Sequence, residues 1–368
     1  MKTAKPKAVS RPSLQGRRPS GARWRVLSAL VLCAGLASGA VARAEEWLGP
    51  NAGPSAAPGR RIVVVAENMR NGGISGLVDG MQEAAGVLGW HLEILDAAGD
   101  PNRLSAALKT AVSADPGDGA GPADGLVLAG MDAVRNMPDF GASVEASRLP
   151  VVGWHVGPQP GPVASTPVAV NITTDPAVVA RLAAEQVINR STGHAGVVIL
   201  TDYQYAIAVS KARVMANRIR GCERCTLLEV IDLPIAETAS RMDAEVERLR
   251  SLYGDQLTHI LAINDLYFDD ATGELQREGV PLDRMSLISA GDGSPSARDR
   301  IRRGYYQTAT AAEPLPLQAW QLLDELNRLM AHQPVSGFIA SPILITREQP
   351  APLDGVDFRR IYREIWGR

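Results

Sequence analysis

Apolar runs that end in polar or aromatic residues, each followed by a stretch of helical spacing, recur along this chain. The clearest case lies in residues 61–102. Ile62 to Ala66 are apolar without a break, as in a strand buried on both faces. Ile74, Leu77, Val78, Met81, Ala84, Ala85 and Leu88 then recur at helical spacing until Gly89 stops the helix. This is a β-α-β unit. The same reading predicts strands at 61–66, 91–95, 124–129 and 150–155, with helices at 74–88, 102–113 and 131–146. A second series predicts strands at 168–172, 196–201, 226–231, 258–263, 285–290 and 306–311, with helices at 176–190, 205–219, 238–252, 266–278 and 295–303. Helix 316–332 and strand 337–345 follow, and residues 357–366 read as a short amphipathic helix resting on a lobe.

Such alternation predicts the α/β class, here two doubly wound parallel-sheet lobes joined by a multi-strand hinge. Segment 157–167, with four prolines, reads as a crossing between lobes. The proline-containing segments at 313–316 and 333–334 read as further crossings. The N-terminal lobe is then 61–156 plus 314–334, the C-terminal lobe 165–312 plus 335–349, and 350–368 a tail. The Gly/Pro/Ala-rich residues 45–60 read as a loose arm. Parallel α/β sheets bind ligands beyond the carboxyl ends of their strands, so function is sought there.

Residues 1–44 change the picture of charge. A positive stretch up to Arg25, an apolar run from Val26 to Ala37 and Ala42-Arg43-Ala44 read as a signal peptide cleaved after Ala44, with a periplasmic product. The apolar run is too short to span a bilayer. Nine of the 38 Lys and Arg residues and none of the 40 Asp and Glu residues precede Glu45, which leaves 29 against 40. A mature chain so acidic opposes binding to nucleic acid or anionic lipid, both of which need clustered cations. After the leader, Cys222 and Cys225 remain. In an oxidising compartment their spacing fits a disulfide across a turn ahead of two free thiols or a redox pair. A metal site would lack its second pair of ligands, so none is predicted.

The strand ends carry an uneven set of side chains. Trp154, Tyr203, Tyr205, Tyr267 and Phe268 fall there, five of the 17 aromatic residues, beside Asn71, His155, Asn264, Asp265, Asp292 and Glu313. Arg213 lies in the helix after strand 196–201. Aromatic faces cover C–H surfaces, while amides, carboxylates and a guanidinium fix neighbouring hydroxyls, a combination suited to a small polar solute, sugars above all. Structural rivals stand beside each assignment. Asp265, Asp292 and Asp175 precede predicted helices and can serve as caps. Trp154 can be core, His155 a satisfied sheet-end histidine, and Arg213 half of a surface ion pair.

In order and spacing, the segments GLVDGMQEAAGVLGW, LDAAGDPNR, NITTDPAVVARLAAEQVI, AINDLYFDDA, ISAGDGSPSARDRI and TATAAEPLPLQAW resemble the type I periplasmic solute-binding proteins, within them the ribose- and galactose-binding group of ABC importers. The resemblance covers residues 61–346. It implies a monomer that closes on a solute without catalysis or cofactor, then engages an ABC permease or, in the same fold, a membrane sensor kinase. It assigns ligand contacts to Asn71, Arg213, Asn264 and Asp292, and puts Glu313 where the family has a hinge glutamine. The aromatic pair that often follows the loop asparagine is Gly73-Ile74 here, and the usual Asp-Arg ending the fourth strand is His155-Val156. Trp154 and Tyr203 are then the candidates for stacking, and Glu313 with His155 admits an amino-bearing solute. A serine-hydrolase elbow, a phosphate-binding lysine loop and a zinc-protease helix are not found in the sequence, which argues against those enzyme classes.

Overall fold

The structure is a computed structural model that describes residues 47–113, 121–136, 141–350 and 356–368. Residues 1–44, which the sequence predicts to be a signal peptide, lie outside the described residues.

The N-terminal lobe is built on five parallel strands in the order β2-β1-β3-β4-β5. They are β1 (Arg61–Ala66), β2 (His91–Asp96), β3 (Gly125–Ala129), β4 (Val151–Trp154) and β5 (Val170–Ile172). Alternate residues of one strand go to opposite faces. Ile62, Val64 and Ala66 therefore meet α1 (Gly72–Leu88) and α10 (Leu315–Met330), whereas Val63 and Val65 meet α2 (Pro101–Ala111) and α4 (Gly141–Ser147). A short α3 (Ala133–Asn136) precedes α4, with residues between them outside the described set.

Six strands form the second sheet, in the order β11-β10-β9-β8-β6-β7. These are β6 (Ala195–Thr201), β7 (Cys225–Asp232), β8 (His259–Ala262), β9 (Ser286–Ser289), β10 (Gln307–Ala312) and β11 (Ile343–Thr346). Their helices are α5 (Pro176–Arg190), α6 (Ala206–Arg220), α7 (Thr238–Tyr253), α8 (Leu266–Arg277) and α9 (Pro295–Arg303). The β11 strand pairs antiparallel with β10, so this sheet is mixed at one edge, where the sequence predicts a parallel one.

Helix starts are set locally. Asn71, Asp100, Asp175 and Ser294 each cap the helix that follows, satisfying backbone N–H groups that have no intrahelical acceptor. Asp175 is therefore a cap, as one of its two readings had it.

Two lobe boundaries move. Segment 157–167 is not a crossing: it loops out and returns within the N-terminal lobe, and strand 168–172 joins that lobe's sheet as β5. Asn171 holds the loop, donating from Nδ2 to the carbonyls of Gly157 (3.1 Å) and Gln159 (2.7 Å) while Oδ1 accepts from Val156 N. The chain crosses instead at 173–175, at 313–314 and across 331–342, and returns a fourth time between β11 and Phe358.

The arm is not loose either. Asn327 donates to Pro54 O at 2.7 Å, Arg328 to Ala52 O at 2.6 Å, and Trp90 to Ala57 O at 2.7 Å. Beside it the tail forms α11 (Phe358–Trp366), whose Trp366 stacks on Trp320 at 5.1 Å and donates to Asp324 at 2.8 Å. Arm and tail together cover the polar outer side of α10.

Candidate functional site

The carboxyl ends of both sheets face one cleft that is open to solvent. From the N-terminal lobe it takes Glu67 and Asn71 after β1, Gly130 after β3, and Trp154 and His155 at the end of β4. From the C-terminal lobe, α6 supplies Lys211, Ile207 and Ala208, with Tyr205 just before it. Ile235, Ile263, Asn264 and Asp292, each following a strand, complete the wall. Cysteines are not involved: Cys222 and Cys225 are joined as a disulfide between α6 and β7. Among the described residues no cluster of His, Cys, Asp and Glu is arranged to hold a metal ion.

One polar chain runs behind the cleft. Trp154 donates from Nε1 to Gln318 Oε1 at 2.8 Å, and Gln318 donates to Glu313, which also accepts from Thr174 N (3.0 Å) and Thr174 Oγ1 (2.8 Å). His155 stacks on the Trp154 indole, ring centroids 3.7 Å apart, and puts Nε2 3.2 Å from Glu313 Oε1. Glu313 and Thr174 belong to two different crossings, so this carboxylate ties the hinge together. Burial alone would push Glu313 up, but the neighbouring charges of His155 and Lys211 and a hydrogen bond from Gln318 hold it at about 2.

Where the lobes meet, Asp292 reaches the start of α1. A side chain on Gly73 would lie 2.3 Å from Asp292 Oδ2, and one on Gly72 would lie 2.5 Å from Ser294 Cβ. The glycine pair is what permits this approach. Asp292 Oδ2 accepts from Asn264 Nδ2 at 2.6 Å, while Oδ1 is buried with no hydrogen-bond partner among the described residues. Burial raises Asp292 to about 6 against the opposing charges of His155 and Lys211. Glu67 is raised further, to about 7, by burial and by repulsion from Asp202 and Asp96; a hydrogen bond from the Tyr205 hydroxyl offsets part of this.

Of the residues singled out in the sequence, the fold brings Asn71, Trp154, His155, Asn264 and Asp292 to the cleft wall. Glu313 stands one layer behind, fully buried in the hinge. Asp265 is neither a wall residue nor a side-chain cap for α8. It is a core anchor that accepts from Asp292 N (3.0 Å), Gly293 N (2.8 Å) and Gln307 Nε2 (2.7 Å). Tyr203 points away, 56% exposed, and its neighbour Tyr205 takes the wall position. Arg213 is exposed on the outer side of α6, and Lys211 is the cation in the cleft. The phase of α6 carries that signal: Ile207, Ala208, Ala212 and Met215 are buried, so 211 faces inward and 213, about 200° further round, faces out. Glu67, one residue past β1, was missed although it occupies a strand end like the others.

Two α/β lobes, several crossings and a polar cleft at the strand ends define a cleft-type binding protein. The periplasmic binding protein domain matches residues 62–334, and the chain belongs to that family, whose members bind solutes and are not enzymes. Its fold is that of ABC-type solute-binding proteins. The allitol-bound solute-binding protein of Agrobacterium vitis is 16% identical with a TM-score of 0.64, over 79% of this chain and 97% of the other. The myo-inositol-bound Caulobacter protein is 16% identical with a TM-score of 0.65, over 79% and 94%. The D-allose-bound protein of Actinobacillus succinogenes is 13% identical with a TM-score of 0.67, over 79% and 99%. No curated protein matches the sequence.

Proposed function

We propose that this protein is an exported solute-binding protein that captures a small polyhydroxylated solute, a sugar or a sugar-like polyol, between its lobes and presents it to an ABC importer. The observation that carries the reading is the buried, unpartnered Asp292 Oδ1 in a cleft whose other polar groups come from both lobes. A hydroxyl donor there relieves the desolvation cost of that buried oxygen. Contacts to both lobes then favour the closed population over the open one. The polyols bound by the structural neighbours support the solute class, and the leader supports export.

Calorimetry and thermal shift with allitol, myo-inositol, D-allose, D-ribose and D-galactose test this. At least one should bind and raise the melting temperature. Lys211→Ala should weaken that binding by at least about tenfold, the scale of one lost charged hydrogen bond. Arg213→Ala, on the outer face, should keep wild-type affinity. Failure of every polyol, or equal loss in both variants, contradicts the reading. Delivery is tested separately by solute-dependent stimulation of the cognate permease ATPase in proteoliposomes.

A further inference from the structure

Carboxylates outnumber cations around the cleft. A second recess, open to solvent, adjoins it, with Glu67 and Tyr205 common to both walls. Together the two cavities are faced by five carboxylates, Glu67, Asp100, Asp132, Asp202 and Asp292, against Lys211, Arg135 and the imidazole of His155. Three of the five have structural work that explains them. Asp100 caps α2, Asp132 accepts from Arg135 N and Ala206 N, and Asp202 accepts from Gln204 N and Ile235 N. Glu67 and Asp292 Oδ1 have no such duty.

Neither cation is placed to serve Glu67. Lys211 donates to Ala290 O at 2.9 Å and acts on Asp292 and Glu313. Arg135 donates to Gln204 O at 3.3 Å and acts on Asp202. The groups acting on Glu67 are the Tyr205 hydroxyl and two further acids, Asp202 and Asp96. A half-buried carboxylate among acids is costly to ionise unless a cation meets it. The cleft therefore disfavours sugar acids and phosphates, and a neutral solute leaves Glu67 uncompensated.

We infer that the solute is an aminated polyol, whose protonated amine sits against Glu67 at the junction of the two cavities while another donor of the same molecule reaches Asp292 Oδ1. This rests on the polyol reading above and adds a charge to it.

Matched pairs test it by calorimetry at neutral pH: D-galactosamine against D-galactose, and scyllo-inosamine against scyllo-inositol, with D-galacturonate as the anionic control. The aminated member should bind at least about tenfold more tightly than its parent, and the acid should be the weakest. Glu67→Gln should bring the ratio of aminated to neutral affinity close to one. Parents that bind as tightly as their amines overturn the inference and leave the polyol reading standing. A preference that survives in Glu67→Gln overturns the seat at Glu67. If no member of either pair binds while allitol, myo-inositol, D-allose or D-ribose does, the aminated solute is overturned and the polyol reading stands.

Discussion

Asp292→Asn separates what this residue does for the ligand from what it costs the fold. In the closed protein the carboxyl is held at about 6 against an ordinary 3.8. A carboxyl raised on folding binds more protons folded than unfolded, so its ionisation takes stability away as pH rises from 3.8 to 6, and the loss is complete above that. The gap corresponds to about 3 kcal/mol as a ceiling. Asparagine keeps the acceptor for Asn264 and carries no charge to desolvate. The ligand-free variant should therefore melt above wild type at pH 8, by about 5 °C for a chain of this size. The difference should fade toward pH 4, where the wild-type carboxyl is protonated. Solute affinity should drop at the same time by at least about tenfold, since the unpartnered Oδ1 acceptor is gone. Calorimetric melts of both proteins across this range measure the first effect and titration the second. A variant that melts lower than wild type at pH 8, or whose difference from wild type is flat with pH, would refute the reasoning.

Other outcomes follow from the same geometry. Gly73→Ala suits a helix better by roughly 0.5–1 kcal/mol, yet its methyl meets the Asp292 side chain, so melting should not fall while affinity drops at least about tenfold and scattering with solute shows a more open particle. Glu313→Gln should destabilise at pH 7 by about 2 kcal/mol. Because Glu313 is held near 2 when folded, its contribution is present above 4.5 and fades as pH falls toward 2, so urea melts of the two proteins should converge over that interval. Trp366→Ala removes the stack on Trp320 and a donor to Asp324 and should cost about 3–5 kcal/mol in urea denaturation. Wild-type stability there would mean that α11 is dispensable.

The strand and helix sequence was legible because burial writes period into sequence. The predicted 61–66, 176–190 and 295–303 coincide with β1, α5 and α9. What misled was punctuation. Four prolines in 157–167 look like a passage between lobes, whereas the real one at 173–175 is three residues long and leads straight into the cap and Pro176 of α5. An asparagine inside a strand, Asn171, was the contrary signal, since a buried amide needs a local backbone to bind. The cleft was half legible. Asn71, Asn264 and Asp292 follow from the strand-end rule, but the resemblance points to Arg213 by position, whereas helix phase puts Lys211 in the cleft. The tail's role was visible as amphipathicity, while the arm's anchoring was not, because its bonds run through carbonyls that any sequence would offer.

Four passages of the chain between the lobes also limit how they can move. A single tether allows twisting and sliding; several, with Glu313 bridging two of them through Thr174, leave little beyond rotation about one axis, like a door hung on several pins. Cutting the backbone once in 331–342 would leave the other passages in place, so a nicked molecule should still swing shut on its solute.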